Sequence, residues 1–436
     1  MQQEMTRSLY RIFQESNGIS TDTRKEVTNC IFFALAGEHF NGNRFVSSAL
    51  DSGASLVIAD YPSHCPRDNK CWLVDNSLTV LQELATYHRQ QFNIPTIAIA
   101  GSNGKTPTKE LIMSVLSTEY TIHGTKGNFN NHIGLPLTLM EVQRPQDIDI
   151  FVLEMGARHP GDIQELCDIG QPTHGLITNA GKDHLETFGN VGNVIRSNAE
   201  LYQYLASING TAFVNSDHDY LVREAKEIEN CIFYGSEDDN YCYGSIINSF
   251  PYLGIEYTCH QQGGSIHTNL TGQYNFENVL AAVCVGHHFN VDQEQIKLAV
   301  QSYQSSNYRS QMIHKDSNTI ILDAYNANPT SMREAIISFS QTPNEKKVAV
   351  LGDMLELGDV SEEEHRKVVD LTAQYNFDEV ILVGQEFAKV KDEITCKHFP
   401  SNRELQEWLR NHPYEKTTFL VKGSRGIALE EAFSVQ

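Results

Sequence analysis

Short, continuously apolar runs recur along this chain, and most are followed by a stretch of helix length. The run TIAIA (96–100) is the clearest. It contains no alternation of polar and apolar residues, so it reads as a strand buried on both faces, and it ends on a glycine turn that opens a helical segment. Repetition of that unit is the βαβ signature and predicts an α/β chain. Strands are expected at Ile31–Leu35, Ser55–Ala59, Trp72–Val74, Thr96–Ala100, Asp149–Met155, Gly175–Asn179 and Thr211–Asn215, and a helix at Ser77 to about Gln91. Aromatic and β-branched residues from about Tyr241 to Thr268 suggest extra strands, and Asn275 to about Phe289 reads as a helix. A last alternating block follows. Its expected strands are Thr319–Ala324, Lys347–Leu351, Glu379–Val383 and Thr418–Val421; its helices are Ser331–Ser340, Glu362–Tyr375 and Arg403–Leu409.

At 436 residues the chain exceeds one ordinary core. The blocks divide it at 1–80, 81–304 and 305–436. No apolar run is long enough to span a bilayer, and MQQEMTRSLYRIF lacks the apolar core of a signal peptide, so a cytoplasmic protein without membrane insertion is expected. Nine scattered cysteines with no Cys-x-x-Cys fit reduced thiols better than a disulfide framework or a zinc site. The net charge of −22 opposes non-specific binding to nucleic acid. Small anionic ligands need local cations and backbone N–H groups instead, for which Lys105, Arg309, Lys422 and Arg425 are candidates.

The segment IPTIAIAGSNGKTPTKELIMSVL (94–116) reads as strand, glycine-rich turn and helix, the context a phosphate loop requires. Gly101, Ser102, Asn103 and Gly104 would present backbone N–H groups to phosphates at the helix N-terminus. Lys105 would reach the outer phosphates, and the Thr106 hydroxyl would ligate Mg²⁺. A plain glycine turn before a helix is the bland alternative. Ile99 stands where such loops usually have an earlier glycine. Pro107 follows the threonine; a first-turn proline costs little, although it biases Thr106 away from the α conformation. Glu154 ends the apolar run DIFVLE, where a carboxylate points into the ligand crevice of an open α/β sheet and could serve a metal. His184 also follows a strand, but a lone histidine is usually structural.

Together these segments resemble the Mur ligases, ATP-dependent amide-forming enzymes of peptidoglycan synthesis, whose loop reads Gly-Thr/Ser-Asn-Gly-Lys-Thr/Ser without the earlier glycine. The resemblance runs through STDTR (20–24), FFALAGEHFNGNRF (32–45), KGNFNNHIGLPLTL (126–139), LEMGARHPGDI (153–163), TNAGKDHLETFG (178–189) and YNFENVLAAV (274–283). It continues through RSQ (309–311), ILDAYNANPTSM (321–332), LGDMLELGDVSEEEH (351–365) and LVKGSRGIALE (420–430). It implies three α/β domains: a UDP-sugar-binding domain, a central P-loop-type ATPase sheet and a C-terminal Rossmann-like ligase domain. NANPTSM with LGDMLELG is the wording of the branch that adds D-alanyl-D-alanine. The implied reaction joins that dipeptide to UDP-N-acetylmuramoyl-tripeptide through an acyl phosphate, with ATP and Mg²⁺, in cell-wall biogenesis that underlies cell shape and division. A monomer is expected.

By resemblance, Thr106 and Glu154 would serve one metal ion and His184 another, with Lys105, Glu154, His184 and Arg309 forming the catalytic set. Asn278 and Asp323 would contact the adenosine, and Arg309 the phosphates. Tyr325 offers a flat face beside Asn326, and a strand-end core aromatic is an equal reading for it. Lys422 and Arg425 suit the incoming dipeptide's carboxylate. Ser20, Asp22 and Arg24 would bind the UDP-sugar, although such a cluster is commonly a turn.

One departure stands out. Where the family carries a carbamylated lysine that helps hold the second metal, NVIRSNAELYQYL has Asn198, which would bring one neutral carbonyl on a short stem and leave a gap for water. Asp183 adds a carboxylate beside His184. An active ligase is the favoured reading, against a silenced relative that binds UDP-sugar or ATP without efficient turnover.

Overall fold

The computed structural model describes residues 2–37, 40–66, 69–305, 308–343 and 346–433. Glu38 and His39, within FFALAGEHFNGNRF, lie outside the described residues. The chain forms two compact units. One comprises 1–99, 120–157 and 161–175; the other comprises 100–119, 158–160 and 176–436.

In the first unit, Ile19–Ser20, Ile31–Phe33, Leu56–Ala59 and Cys71–Leu73 form a parallel four-stranded sheet in that order. Its central strands are wholly buried, which is why their apolar runs are continuous. The helix Ser77–Arg89 begins at Asn76, whose side chain caps Thr79. Beside this, Ile150–Glu154 lies between Thr96–Ala100 and Ile122–Gly124, parallel to both. The reduced-thiol expectation is corrected at one place: Cys65 and Cys71 are bonded, with Cα atoms 5.9 Å apart. The chain turns back between the strands Leu56–Ala59 and Cys71–Leu73, so two cysteines that look unrelated in sequence come within disulfide reach.

The second unit holds two sheet systems. Thr211–Asn215, Asn230–Gly235 and Cys242–Asn248 run parallel, and Gly254–Cys259 and Gln262–His267 continue as antiparallel hairpins. The region expected to hold extra strands around 241–268 is this antiparallel extension. A six-stranded sheet has the order Gln311–Lys315, Asn318–Asp323, Thr418–Lys422, Lys347–Gly352, Glu379–Val383, Lys397–Phe399. All its neighbours are parallel except the first pair. Helices pack on both of its faces. Met332, Ile336 and Phe339 lie in one core, and Leu405, Leu429 and Phe433 in the other. This is a doubly wound arrangement, which brings Asp323 and Lys422 side by side as register partners at the carboxyl ends of adjacent strands.

No helix among the described residues is long and apolar enough to cross a membrane.

Candidate nucleotide and ligase site

The loop Gly101–Gly104 connects the buried strand Thr96–Ala100 to the helix Lys105–Leu116. Two residues adopt backbone conformations that favour glycine, Gly101 with φ 126° and Gly104 with φ 81°. A Cβ on Gly101 would lie 2.2 Å from Thr178 Oγ1, and one on Gly104 would lie 2.5 Å from Asn278 Oδ1.

Asparagines hold this loop from several sides. The Ser102 N–H donates to the Asn179 carbonyl at 2.8 Å, and the Asn103 N–H to Asn179 Oδ1 at 3.0 Å. Thr178 Oγ1 donates to the Asn103 carbonyl at 2.6 Å. Beneath Gly104, Asn278 Oδ1 accepts from Thr108 Oγ1 at 2.9 Å, and its Nδ2 donates to Asn275 at 2.9 Å. Asn278, expected at the adenosine, therefore has its carboxamide directed at the underside of the loop.

Lys105 Nζ donates to the carbonyls of Gly101 and Ser102. The ammonium thus rests on the loop it would leave for a phosphate. Pro107 lies in the first turn of the helix, as expected, where no hydrogen bond is forfeited. Thr106 is buried at this helix start.

Asn198 differs from expectation. Its carboxamide is engaged by the protein at both ends. Its Oδ1 accepts the Gly101 N–H at 2.8 Å, and its Nδ2 donates to the Val194 carbonyl at 2.9 Å. The helix Val191–Ser207 carries residue 198 directly under the loop, and the short asparagine stem matches that distance.

His184 has φ 45° and precedes the short helix Leu185–Phe188. Its Nδ1 lies 2.7 Å from Glu356 Oε2 and its Nε2 3.7 Å from Asp183 Oδ1. Burial works against the imidazolium, but the Glu356 hydrogen bond and the Asp183 charge outweigh it, so the His184 pKa is raised. Hydrogen bonding from His184 holds Glu356 below the usual carboxylate range. Glu356 belongs to the LGDMLELG segment, which sequence reading did not assign a site role. Nearby, Lys182 Nζ pairs with Glu364 at 2.6 Å, and the Lys182 N–H donates to Thr330 Oγ1 at 3.1 Å. Asn103 Oδ1 accepts from Asn328 Nδ2 at 2.8 Å. NANPTS and LGDMLELG thus meet the phosphate loop and the TNAGKDH segment.

At the six-stranded sheet, Arg309 stacks 3.6 Å from the Tyr325 ring centroid, and the Arg425 guanidinium lies 5.2 Å from the same centroid. Arg309 Nε is buried without a hydrogen-bond partner. Asn326 is exposed beside them. Lys422 Nζ is buried and bonds Asp323 Oδ2 at 2.6 Å and the Asn326 carbonyl at 3.3 Å. Asp323 Oδ1 accepts the Ser310 N–H at 3.2 Å. Lys422, expected at a ligand carboxylate, and Asp323, expected at the adenosine, here neutralise each other.

In the first unit, Glu154 is buried at the end of its strand and accepts from Asn130 Nδ2 at 2.8 Å. Ser20, Asp22 and Arg24 form a turn: the Asp22 N–H donates to Ser20 Oγ, and Arg24 Nη2 pairs with Asp22 Oδ2 at 2.8 Å. The Arg24 hydrogen bonds hold the Asp22 carboxyl down to about 2.

Taken one by one, the Thr106 hydroxyl and the Glu154 carboxylate are hard oxygens of the kind that suits Mg²⁺. Among the described residues no three His, Cys, Asp or Glu side chains form a metal-binding group, so such an ion would depend on phosphate oxygens as well.

An α/β sheet with a glycine loop between a buried strand and a helix, cradled by asparagines, defines a nucleotide-binding protein of the phosphate-loop type. The chain belongs to the Mur ligase family: residues 99–286 match the Mur ligase middle domain, and residues 308–425 match the Mur ligase, glutamate ligase domain. It is 33% identical over 427 residues to the UDP-N-acetylmuramoyl-tripeptide–D-alanyl-D-alanine ligase of Bacillus subtilis (strain 168), covering 95% of this chain and 92% of that one. Among solved structures it resembles MurF from Acinetobacter baumannii, with a TM-score of 0.87, 29% identity and 97% of both chains covered. It also resembles the MurF ligase from Thermotoga maritima in complex with ADP, with a TM-score of 0.86, 25% identity and 97% of both chains covered.

Proposed function

We propose that this protein is the ATP-dependent ligase that joins D-alanyl-D-alanine to UDP-N-acetylmuramoyl-tripeptide in peptidoglycan precursor synthesis. The observation that carries the reading is that NANPTS meets the phosphate loop through Asn328–Asn103, while NANPTS and LGDMLELG meet the TNAGKDH segment through Thr330–Lys182 and Glu356–His184. The near full-length similarity to ligases of that name supports the substrate assignment. The domain division 1–80, 81–304 and 305–436 belongs to this proposal, with the first part taking the UDP-sugar through Ser20, Asp22 and Arg24.

A carboxylate cannot acylate an amine directly, because its leaving group would be oxide. The tripeptide carboxylate attacks the γ-phosphorus of ATP, ADP leaves, and the dipeptide amine displaces phosphate from the resulting acyl phosphate. Loop N–H groups and Lys105 bind and neutralise the phosphates, and Arg309 approaches them from Tyr325. Asn278 and Asp323, candidates for the adenosine, act through backbone: Asn278 steadies the phosphate loop beneath Gly104, and Asp323 holds the Ser310 N–H next to Arg309. Arg425, beside Asn326, receives the dipeptide carboxylate, while Lys422 acts through Asp323. Thr106, Glu154 and His184 would hold Mg²⁺, which offsets the crowded negative charge.

The test offers D-alanyl-D-alanine, lysine and diaminopimelate together with ATP and the UDP-linked tripeptide, and identifies the product by mass. Dipeptide addition with phosphate release is expected. Preferential addition of a single amino acid refutes the substrate assignment, and nucleotide binding without any turnover identifies a silenced relative.

A further inference from the structure

We infer that Asn198 is a positioning residue for the nucleotide phosphates, acting through Gly101. This rests on the phosphate-loop reading above and adds a residue outside the loop. Three observations converge on it. The side chain is only 4% exposed, so neither polar end has solvent as an alternative partner. Its orientation is fixed: Nδ2 donates one helical turn back to the Val194 carbonyl, so Oδ1 is the end that faces the loop and receives the Gly101 N–H. Gly101 is closely packed on its other side, since Thr178 Oγ1, the Asn179 carbonyl and the Thr178 N all lie within 3.0 Å of where a Cβ would be.

The consequence passes along the loop. Gly101 is held at its N–H by Asn198, and its carbonyl is a resting acceptor for Lys105 Nζ. Asn198 therefore fixes the residue from which the lysine departs when a phosphate takes its place. Without this acceptor, a buried N–H is left unsatisfied at the first residue of the turn. The loop can then recover a partner only by moving away from the geometry that directs the following N–H groups at phosphate. Asparagine suits this position because it accepts at one end and donates at the other without carrying charge toward the anion. Aspartate keeps the acceptor but sets a carboxylate oxygen against the Val194 carbonyl.

The test measures ATP and ADP binding to the full chain by titration calorimetry for the natural protein, Asn198→Leu and Ser197→Ala. Ser197 is the neighbouring helix position, and its hydroxyl bonds the His159 carbonyl rather than the loop, so it controls for damage to the helix. Asn198→Leu is expected to weaken nucleotide binding about tenfold and raise the KM for ATP, with affinity for the UDP-linked substrate retained. Ser197→Ala is expected to leave both affinities unchanged. Nucleotide binding by Asn198→Leu equal to that of the natural protein overturns the inference, as does an equal loss in Ser197→Ala. If Asn198→Leu fails to fold, amide exchange at Gly101 in the natural protein decides: protection is expected, and rapid exchange overturns it. Failure of the natural protein to bind ATP would instead refute the phosphate-loop reading.

Discussion

Removing the Lys422 ammonium gives the sharpest test of how the six-stranded sheet is held. Lys422 is 2% exposed and pairs with Asp323 at 2.6 Å across adjacent parallel strands. Lys422→Met keeps the apolar stem and deletes the charge, leaving the Asp323 carboxylate with the Ser310 N–H. Breaking a buried pair by deleting one partner costs about 3–5 kcal/mol; the retained hydrogen bond and the partial exposure of Asp323 place this case near 3. Of the two tryptophans, Trp408 packs in this sheet's core and Trp72 lies in the first unit, so Trp72→Phe makes Trp408 the sole reporter. With an m-value of about 2 kcal/mol/M, urea unfolding of Lys422→Met should shift to a midpoint lower by about 1.5 M. Lys422→Met combined with Asp323→Asn should recover most of that shift, because no unpaired charge remains buried. An unchanged midpoint, together with a raised KM for D-alanyl-D-alanine, would refute this account and make Lys422 a direct contact for the dipeptide.

Three further outcomes are expected. Lys105→Ala should abolish ATP turnover with an unchanged melting curve, since Lys105 donates only to loop carbonyls; retained turnover removes the loop from the mechanism. Gly101→Ala should lower nucleotide affinity at least about tenfold, because a clash with the Asn179 carbonyl at 2.9 Å adds to the cost of a positive φ; calorimetry that shows normal binding would contradict this. Glu356→Gln should lower the His184 pKa, read by NMR titration, because burial then acts with less opposition. His184 is raised, so the stability from this pair is complete below the ordinary histidine value and is lost as pH rises through the His184 value. On the acid side Glu356 is lowered, so the stability is lost as pH falls through the Glu356 value.

Continuous apolar runs made the buried parallel strands legible: Thr96–Ala100, Thr211–Asn215 and Glu379–Val383 have the expected limits. Strands with polar or mixed composition were not legible. Asn230–Gly235 begins exposed, Gln311–Lys315 is an edge strand, and Lys397–Phe399 has only three residues, so none shows a period long enough to read. At the site, residues whose spacing carries the chemistry stood out, as with Gly101 to Thr106. Residues that act by contact did not. Glu356 is recognisable only once His184 lies 2.7 Å away; Asn198 stands out in the sequence as a departure, but its bond to Gly101 shows only once the helix places it under the loop. At Lys422, sequence alone could not show that the cation at this strand end is paired with Asp323 on the neighbouring strand.

The carboxamide of Asn328 is used at both ends. Its oxygen accepts the Ser331 N–H and starts the helix Pro329–Ser340, and its nitrogen donates to Asn103 in the phosphate loop. Asn328→Asp keeps the oxygen that starts the helix but has no proton for Asn103. Asn328→Ser can still start a helix but is too short to hold the loop. The position is therefore a mutational bottleneck. Several residues could satisfy the helix start alone, but only a carboxamide serves both the helix and the nucleotide loop, so the loop contact narrows what this helix cap can become.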